Sequence, residues 1–352
     1  MKGFLFYLLN IEYLLYNEGN ELEVILLRTW IKRISLILLS LIVVTLLIFY
    51  TPDLSQEQLE LTYTTPNSHF VTLTIHSLDQ TPLPIDVHYQ EFGRNNEATI
   101  LLLHGAFSSS HTFIPWAETL EEIGYRVLLL DLPYFGLTKG FEDEVTSLRR
   151  SCEVVKALLT HLEVDSIHIG GNSLGGGVAW YFASNYPDMT SSLLLINSIA
   201  PSITDQRRDN ISPILQTTIA SSVISQFTPK FLVNPILASA YGNKSNLTKP
   251  TLNRYFDLLR REQTRSWILR VKSENIPNED LDAMISSISS STLLMWGELD
   301  SWIPVSTVSI FQAKLSLDQS AIIIYPDLGH VPMEENPDTV VDYVTFLEQI
   351  TP

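Results

Sequence analysis

The sequence predicts an α/β protein: a doubly wound, mostly parallel sheet with helices on both faces and a helical insertion. Three observations lead there. Six continuous apolar runs, "TILLLHG", "RVLLLDL", "SIHIGG", "SLLLINS", "TLLMWG" and "AIIIYPD", follow one another from Thr99 to Asp327. Unbroken rather than alternating runs suit parallel strands buried on both faces. Helix-like stretches separate most of them, such as Leu148 to Leu162, and strand–helix alternation winds a parallel sheet. Between "LLLINS" and "TLLMWG", residues 200–290 carry several helical patterns and no buried-strand run. A crossover needs only about a dozen residues, so the excess reads as an inserted helical cap.

Two more strands are expected ahead of these runs, bringing the sheet to eight. Val71, Leu73 and Ile75 alternate with polar residues, and Ile85, Val87 and Tyr89 do the same after the turn "DQTPLP". They read as an antiparallel opening pair. Residues 68–199 and 291–350 then form the core, 200–290 the cap and 51–67 a polar linker. The charged stretches "RRDN" and "LLRREQTR" within the cap read as solvated helix faces.

The N-terminus has a different character. Ile34 to Tyr50, "ISLILLSLIVVTLLIFY", is 17 residues without a charge. At about 1.5 Å per residue, that is near the lower limit for spanning a bilayer. Arg28, Lys32 and Arg33 precede it, and no Lys or Arg follows until Arg94. The excess of positive charge on one side places residues 1–33 in the cytoplasm and the remainder across the membrane. No small-x-small cleavage site follows the run directly, which favours an uncleaved anchor at 34–50 over a signal peptide. Residues 1–30 fit either a membrane-surface helix or sequence upstream of a mis-set start.

Bulk properties exclude some functions. A net charge of −17 argues against nucleic acid as a partner, because phosphate binding needs clustered Lys and Arg. The single cysteine, Cys152, excludes an internal disulfide and a cysteine metal cluster. An apolar fraction of 45% in 352 residues allows a sizeable core.

The densest signal is "IHIGGNSLGGGVAW", in which five of the eight residues from Gly170 to Gly177 are glycine. Gly171-Asn172-Ser173-Leu174-Gly175 fits G-x-S-x-G, between a strand-like and a helix-like run. Such a turn holds the serine in a strained backbone conformation, and the positions two before and two after it have no room for a side chain. The next residue's N–H sits at a helix N-terminus, where it can meet developing negative charge. Serine needs a base, and the expected chain order is serine, acid, histidine. His330 is the one histidine after Ser173, just past the last apolar run. Asp300, in "TLLMWGELDSWIP", is the expected acid, with Glu298 as the alternative. Its role is to fix the imidazole tautomer and stabilise the imidazolium. The N–H groups of Ala106 and Leu174 are the expected oxyanion donors, with Phe107 and the serines after it lining the pocket. His104 and His168 read as structural.

"HGAFSSS", "DLPYFGLT", "GNSLGG", "WGELDSWIP" and "GHVPMEENP" occur in an order and spacing that resemble the α/β-hydrolase family with a helical cap, over about residues 68–350. Tyr134 stands where the family usually has glycine, and Thr138 where it usually has serine. The resemblance implies a serine hydrolase of the esterase or lipase type that needs no metal or cofactor. The "GNS" elbow is also similar to that of hydrolases cleaving carbon–carbon bonds of ring-fission products. Relatives that are dehalogenases or epoxide hydrolases carry aspartate at the elbow, and Ser173 argues against both. The leading expectation is a membrane-anchored enzyme acting on a hydrophobic or lipid-like carboxylic ester. The alternatives are carbon–carbon bond hydrolysis, acyl transfer to an alcohol, or a non-catalytic anchored binding protein with the same fold.

Overall fold

The computed structural model describes residues 21–201, 217–274 and 280–350. The chain divides into two units between Thr51 and Pro52. In the first, Glu21–Phe49 is one helix of 29 residues. The helix begins well before Ile34, because nothing from Glu21 to Arg33 is a proline or glycine. Arg28, Lys32 and Arg33 are therefore helical rather than flanking. Its segment Val24–Phe49 contains an 18-residue window of mean hydropathy 2.4 and is long and apolar enough to cross a membrane. Of the stretch 1–30, residues 21–30 belong to this helix and residues 1–20 lie outside the described residues.

The second unit is built on an eight-stranded sheet whose strands lie in the order Ser68–His76 (β1), Pro82–Phe92 (β2), Arg126–Leu130 (β4), Thr99–Leu103 (β3), Ile167–Asn172 (β6), Thr190–Ile196 (β7), Ser291–Gly297 (β9) and Ile322–Tyr325 (β10). The opening strands β1 (Ser68–His76) and β2 (Pro82–Phe92) pair antiparallel, with Val71 opposite Val87. The six apolar runs become β3 (Thr99–Leu103), β4 (Arg126–Leu130), β6 (Ile167–Asn172), β7 (Thr190–Ile196), β9 (Ser291–Gly297) and β10 (Ile322–Tyr325). These pair in parallel, and β2 alone runs against both of its neighbours.

Alternate residues of each central strand point to opposite faces, and both faces are covered. Leu101, Leu103 and Ile169 meet Val155 and Leu158 of helix Leu148–His161 and Phe182 of helix Leu174–Asn185. On the other side, Ile100, Leu102 and Leu194 meet Trp116 of helix Ile114–Glu122 and Tyr343 of helix Val340–Ile350. The Trp116 and Tyr343 rings stack at 5.9 Å.

The insertion after β7 holds helices Thr218–Ser225, Lys230–Ala238, Lys249–Leu259 and Thr264–Arg270. It also contains β8 (Lys272–Ser273), which pairs with β5 (Val145–Thr146). That strand is only two residues long, too short to register as a buried apolar run. Glu274 then clamps the returning chain to the core, accepting from Arg149 Nε at 2.8 Å, Arg150 Nε at 2.9 Å and Ser147 Oγ at 2.9 Å. Helix Leu281–Ser286 buries Ile285 in the core itself.

Two expectations need correction. The stretch read as polar linker contains the helix Gln56–Tyr63, closed by a capping box between Ser55 and Gln58. This helix is held because Leu59 is buried against Leu137 and Leu258, and Tyr63 donates to Asp257 at 2.8 Å. The arginines of "LLRREQTR" are not solvated: Arg261 and Arg265 are buried. Arg265 pairs with Asp53, and the Arg261 guanidinium lies 5.8 Å from the Trp267 ring centroid. "RRDN" lies outside the described residues.

Candidate active site

Ser173 sits between β6 and helix Leu174–Asn185, at φ 55° and ψ −115°. Outside the helical and extended basins, this conformation persists only where its surroundings enforce it. Ser173 N–H donates to the Ile196 carbonyl at 3.0 Å, and its own carbonyl accepts from Gly177 N at 3.0 Å. A Cβ on Gly171 would collide with the Gly175 backbone, and one on Gly175 with the Leu103 carbonyl. The turn is thus too tight for any side chain at either position. Gly105 is equally close: a Cβ there would lie 2.8 Å from Asn172 Oδ1 and 3.1 Å from Ser173 Cβ. The turn that carries Ala106 therefore rests directly on the serine.

His330 and Asp300 meet beyond the carboxyl ends of β10 and β9. His330 Nδ1 lies 2.7 Å from Asp300 Oδ2. Asp300 accepts three further hydrogen bonds, from Trp302 N at 2.7 Å, Ile303 N at 3.0 Å and Asn197 Nδ2 at 2.7 Å. An ionised carboxylate can only accept, so beside ionised Asp300 the neutral imidazole of His330 carries its proton on Nδ1 and its lone pair on Nε2. Asn172 Nδ2 donates to the His330 carbonyl at 2.8 Å, tying the elbow to the histidine loop. The Trp302 and His330 rings lie 5.0 Å apart. Among the described residues no hydrogen bond joins Ser173 Oγ to His330; such bonds are often long in unliganded enzymes and tighten with substrate. Glu298 is exposed, whereas Asp300 is buried against the histidine.

Leu174 follows Ser173 and Ala106 follows Gly105 in the turn packed against it; among the described residues neither N–H donates a backbone hydrogen bond outside a helix or strand. Phe107, at φ 64°, packs edge-on to Phe135 at 5.9 Å. Ala106, Phe107, Leu237, Tyr255, Trp302 and His330 are among the residues lining one cavity at this point. Leu237 and Tyr255 come from the insertion, of which residues 202–216 lie outside the described residues. A second, open groove between β1 and helix Leu148–His161, lined by Thr72, Lys156 and His161, does not include the elbow.

The other histidines are in structural settings. Burial lowers the pKa of His104 and keeps it neutral. Its Nδ1 lies 2.7 Å from the Gly105 carbonyl, and its Nε2 accepts from Leu132 N at 3.0 Å. Burial likewise lowers His168, whose Nδ1 lies 2.9 Å from Ser192 Oγ. Burial alone would raise Asp131, but His88 beside it at 2.7 Å holds the carboxyl well below the usual range. Asp131 also accepts from Ser110 N and Leu137 N, so it staples the "DLPYFGLT" loop to the Ala106 turn. Tyr134 occupies the left-handed region at φ 75°, where glycine would be unstrained. Thr138 accepts from His88 N at 2.8 Å through its hydroxyl, as a serine would.

Three contributors escaped sequence reasoning. Asn197 lies in no motif that marks it, yet its amide donates to Asp300. Glu335 accepts from Gly329 N at 2.6 Å and Asn243 N at 3.1 Å, joining the histidine loop to the insertion. Glu334 accepts from Tyr255 Oη and Thr112 Oγ1, both at 2.6 Å, and pairs with Arg254. Their only signal was the "MEEN" that follows His330.

Among the described residues, no group of three or more His, Cys, Asp or Glu is arranged to hold a metal ion.

Comparison with known proteins agrees with this architecture. A family profile described as alpha/beta hydrolase fold matches residues 98–337. A 2-hydroxy-6-oxononadienedioate/2-hydroxy-6-oxononatrienedioate hydrolase of Pseudomonas putida is 24% identical over 277 residues, covering 75% of this chain and 93% of that protein. Among solved structures, a thermophilic esterase from Thermogutta terrifontis aligns with TM-score 0.64 at 19% identity, over 81% of this chain and all (100%) of that one. A bacterial membrane phospholipase A aligns with TM-score 0.58 at 20% identity, over 99% of both chains. A putative lipase from Acinetobacter baumannii aligns with TM-score 0.62 at 24% identity, over 85% of this chain and 97% of that one. With the profile covering more than half of its length, the chain belongs to the α/β-hydrolase family.

Proposed function

We propose that the protein is a membrane-anchored serine hydrolase that cleaves a hydrophobic carboxylic ester. The observation that carries this reading is the 2.7 Å contact of His330 with Asp300 beside the strained Ser173. Ser173 Oγ attacks the acyl carbon while His330 Nε2 takes its proton. The Ala106 and Leu174 N–H groups hold the oxyanion. The imidazolium returns the proton to the departing alcohol, leaving an acyl-enzyme. Water, activated by the same histidine, releases the acid and frees Ser173. Asp300 orients the imidazole and stabilises its cation. Leu237, Ala240, Tyr241 and Tyr255 of the insertion form one side of the cavity. The helix Glu21–Phe49 anchors the chain, with the hydrolase unit on the non-cytoplasmic side.

The esterase and lipase neighbours, and the membrane phospholipase aligned over nearly the whole chain, support the ester reading.

The test is hydrolysis of a p-nitrophenyl ester series, from acetate to palmitate, with Ser173→Ala as control. Serine-dependent turnover is the expected result. Turnover of a ring-fission dienoate, with none of any ester, would overturn the substrate class and leave the nucleophile standing.

A further inference from the structure

The insertion presents an apolar surface to its outside as well as to the cavity. Ile219 and Val223 are four residues apart on helix Thr218–Ser225 and are both exposed, Ile219 by 80%. Leu232 and Ile236 repeat that spacing on helix Lys230–Ala238, with Ile236 exposed by 62%. Residues four apart share one helix face, so each helix carries an outward apolar stripe. The neighbouring Leu237 is buried and lines the cavity. A single helix therefore separates the cavity beside His330 from this outer surface.

Two independent features identify what covers it. The first is connectivity. The candidate membrane helix ends at Phe49. Three residues on, the chain is fastened to the insertion: Arg260 Nε donates to the Pro52 carbonyl at 2.9 Å, and Leu54 N donates to the Arg260 carbonyl at 2.8 Å. Asp53 pairs with Arg265 and accepts from Gln226. Three residues extend at most roughly 10 Å, so an anchored helix leaves the insertion a short tether. The second feature is charge. Arg254, Arg265 and Arg270 of the insertion are engaged by Glu334, Asp53 and Glu144, and Arg261 is buried, but Lys244, Lys249 and Lys272 are exposed. Exposed apolar stripes accompanied by cations are the pattern of segments that settle into an anionic lipid interface.

We infer that helices Thr218–Ser225 and Lys230–Ala238 dock on the surface of the bilayer that holds the N-terminal helix. The inference rests on the anchored-hydrolase reading above and deepens it: the substrate is an amphiphile drawn from that bilayer, with its ester passing the roof helix to reach Ser173.

The experiment uses the full chain in vesicles of phosphatidylcholine and phosphatidylglycerol, with or without brominated acyl chains. Ile219→Cys and Ile236→Cys are each labelled with bimane, and Leu41→Cys reports on the anchor. The native Cys152 is buried, and burial pushes its thiol pKa up, so it contributes no background. Loss of emission with brominated lipid is expected at all three positions. Quenching at Leu41 but not at Ile219 or Ile236 overturns the docking and leaves the anchor standing. No quenching at Leu41 overturns the anchor and the docking with it. As a functional check, the double variant Ile219→Asp/Ile236→Asp should lose about tenfold in turnover of a vesicle-borne long-chain ester. Turnover of p-nitrophenyl acetate should be unchanged. Equal activity of variant and parent on the vesicle-borne ester would contradict the inference.

Discussion

Asn197 Nδ2 donates to Asp300 Oδ2 at 2.7 Å, sharing that oxygen with His330 Nδ1. Its own Oδ1 accepts from Gly297 N at 3.2 Å, so the amide bridges the ends of β7 and β9. Asn197 is buried and lies at φ 43°, a conformation asparagine tolerates better than most residues. It acts through Asp300 and does not reach the serine. Asn197→Ala should lower kcat about tenfold, from the loss of one hydrogen bond to a charged group, with KM nearly unchanged. A steady-state comparison on one ester checks this. An equal loss in KM and none in kcat would show that the amide shapes the pocket rather than the acid.

The elbow leaves no space at Gly175, where a Cβ would meet the Leu103 carbonyl. Backbone cannot yield as a flexible side chain can. Gly175→Ala should destabilise the fold by about 3 kcal/mol, the upper range for overpacking. Chemical denaturation gives the value directly. A change below about 1 kcal/mol would mean that β3 and the elbow separate easily, against their close packing.

Glu274 links stability to pH. Burial opposes its ionisation, but hydrogen bonds from Arg149, Arg150 and Ser147 outweigh that and bring the carboxyl down to about 2, from 4.5. A carboxyl with a depressed pKa stabilises the folded state fully above its unfolded pKa and loses that contribution as pH falls through the folded value. Glu274→Gln should therefore lower Tm at pH 7, and the difference from the parent should shrink between about pH 4.5 and pH 2. Thermal melts across that window test it, and a difference independent of pH would contradict the assignment.

The division at Thr51 and Pro52 implies two different truncations. A chain starting at Pro52 should be soluble and active, because it keeps Asp53 for Arg265 and Leu59 for the cluster with Leu137 and Leu258. A chain starting at Asn67 lacks Asp53, the carboxylate paired with the Arg265 guanidinium, whose side chain is only 5% exposed. Breaking such a buried pair costs about 3 kcal/mol or more, so this shorter chain should melt markedly lower. Equal melting temperatures would show that helix Gln56–Tyr63 is an ornament of the insertion.

The sheet was legible because parallel strands buried on both faces need unbroken apolar runs, and all six runs became strands. Ser173 was legible because the steric demand of the elbow is written in adjacent glycines. Asp300 and His330 were expected from chain order and a shortage of candidates, and the fold brings them within 2.7 Å of each other; their catalytic roles belong to the proposal. What stayed hidden depends on distant partners. Asn197 meets Asp300 across 103 residues, and Arg265 meets Asp53 across 212. A run such as "LLRREQTR" reads as solvated unless its carboxylate is known. The helix Gln56–Tyr63 carries one buried leucine and a capping box, too little apolar periodicity to stand out from a linker.

The most direct test of the central claim is labelling of the folded chain with a fluorophosphonate, followed by peptide mass analysis. The adduct is expected on Ser173 in the parent, and it should be absent from Ser173→Ala and strongly reduced in His330→Ala. An adduct on another serine, or equal labelling of Ser173 without His330, would contradict the account.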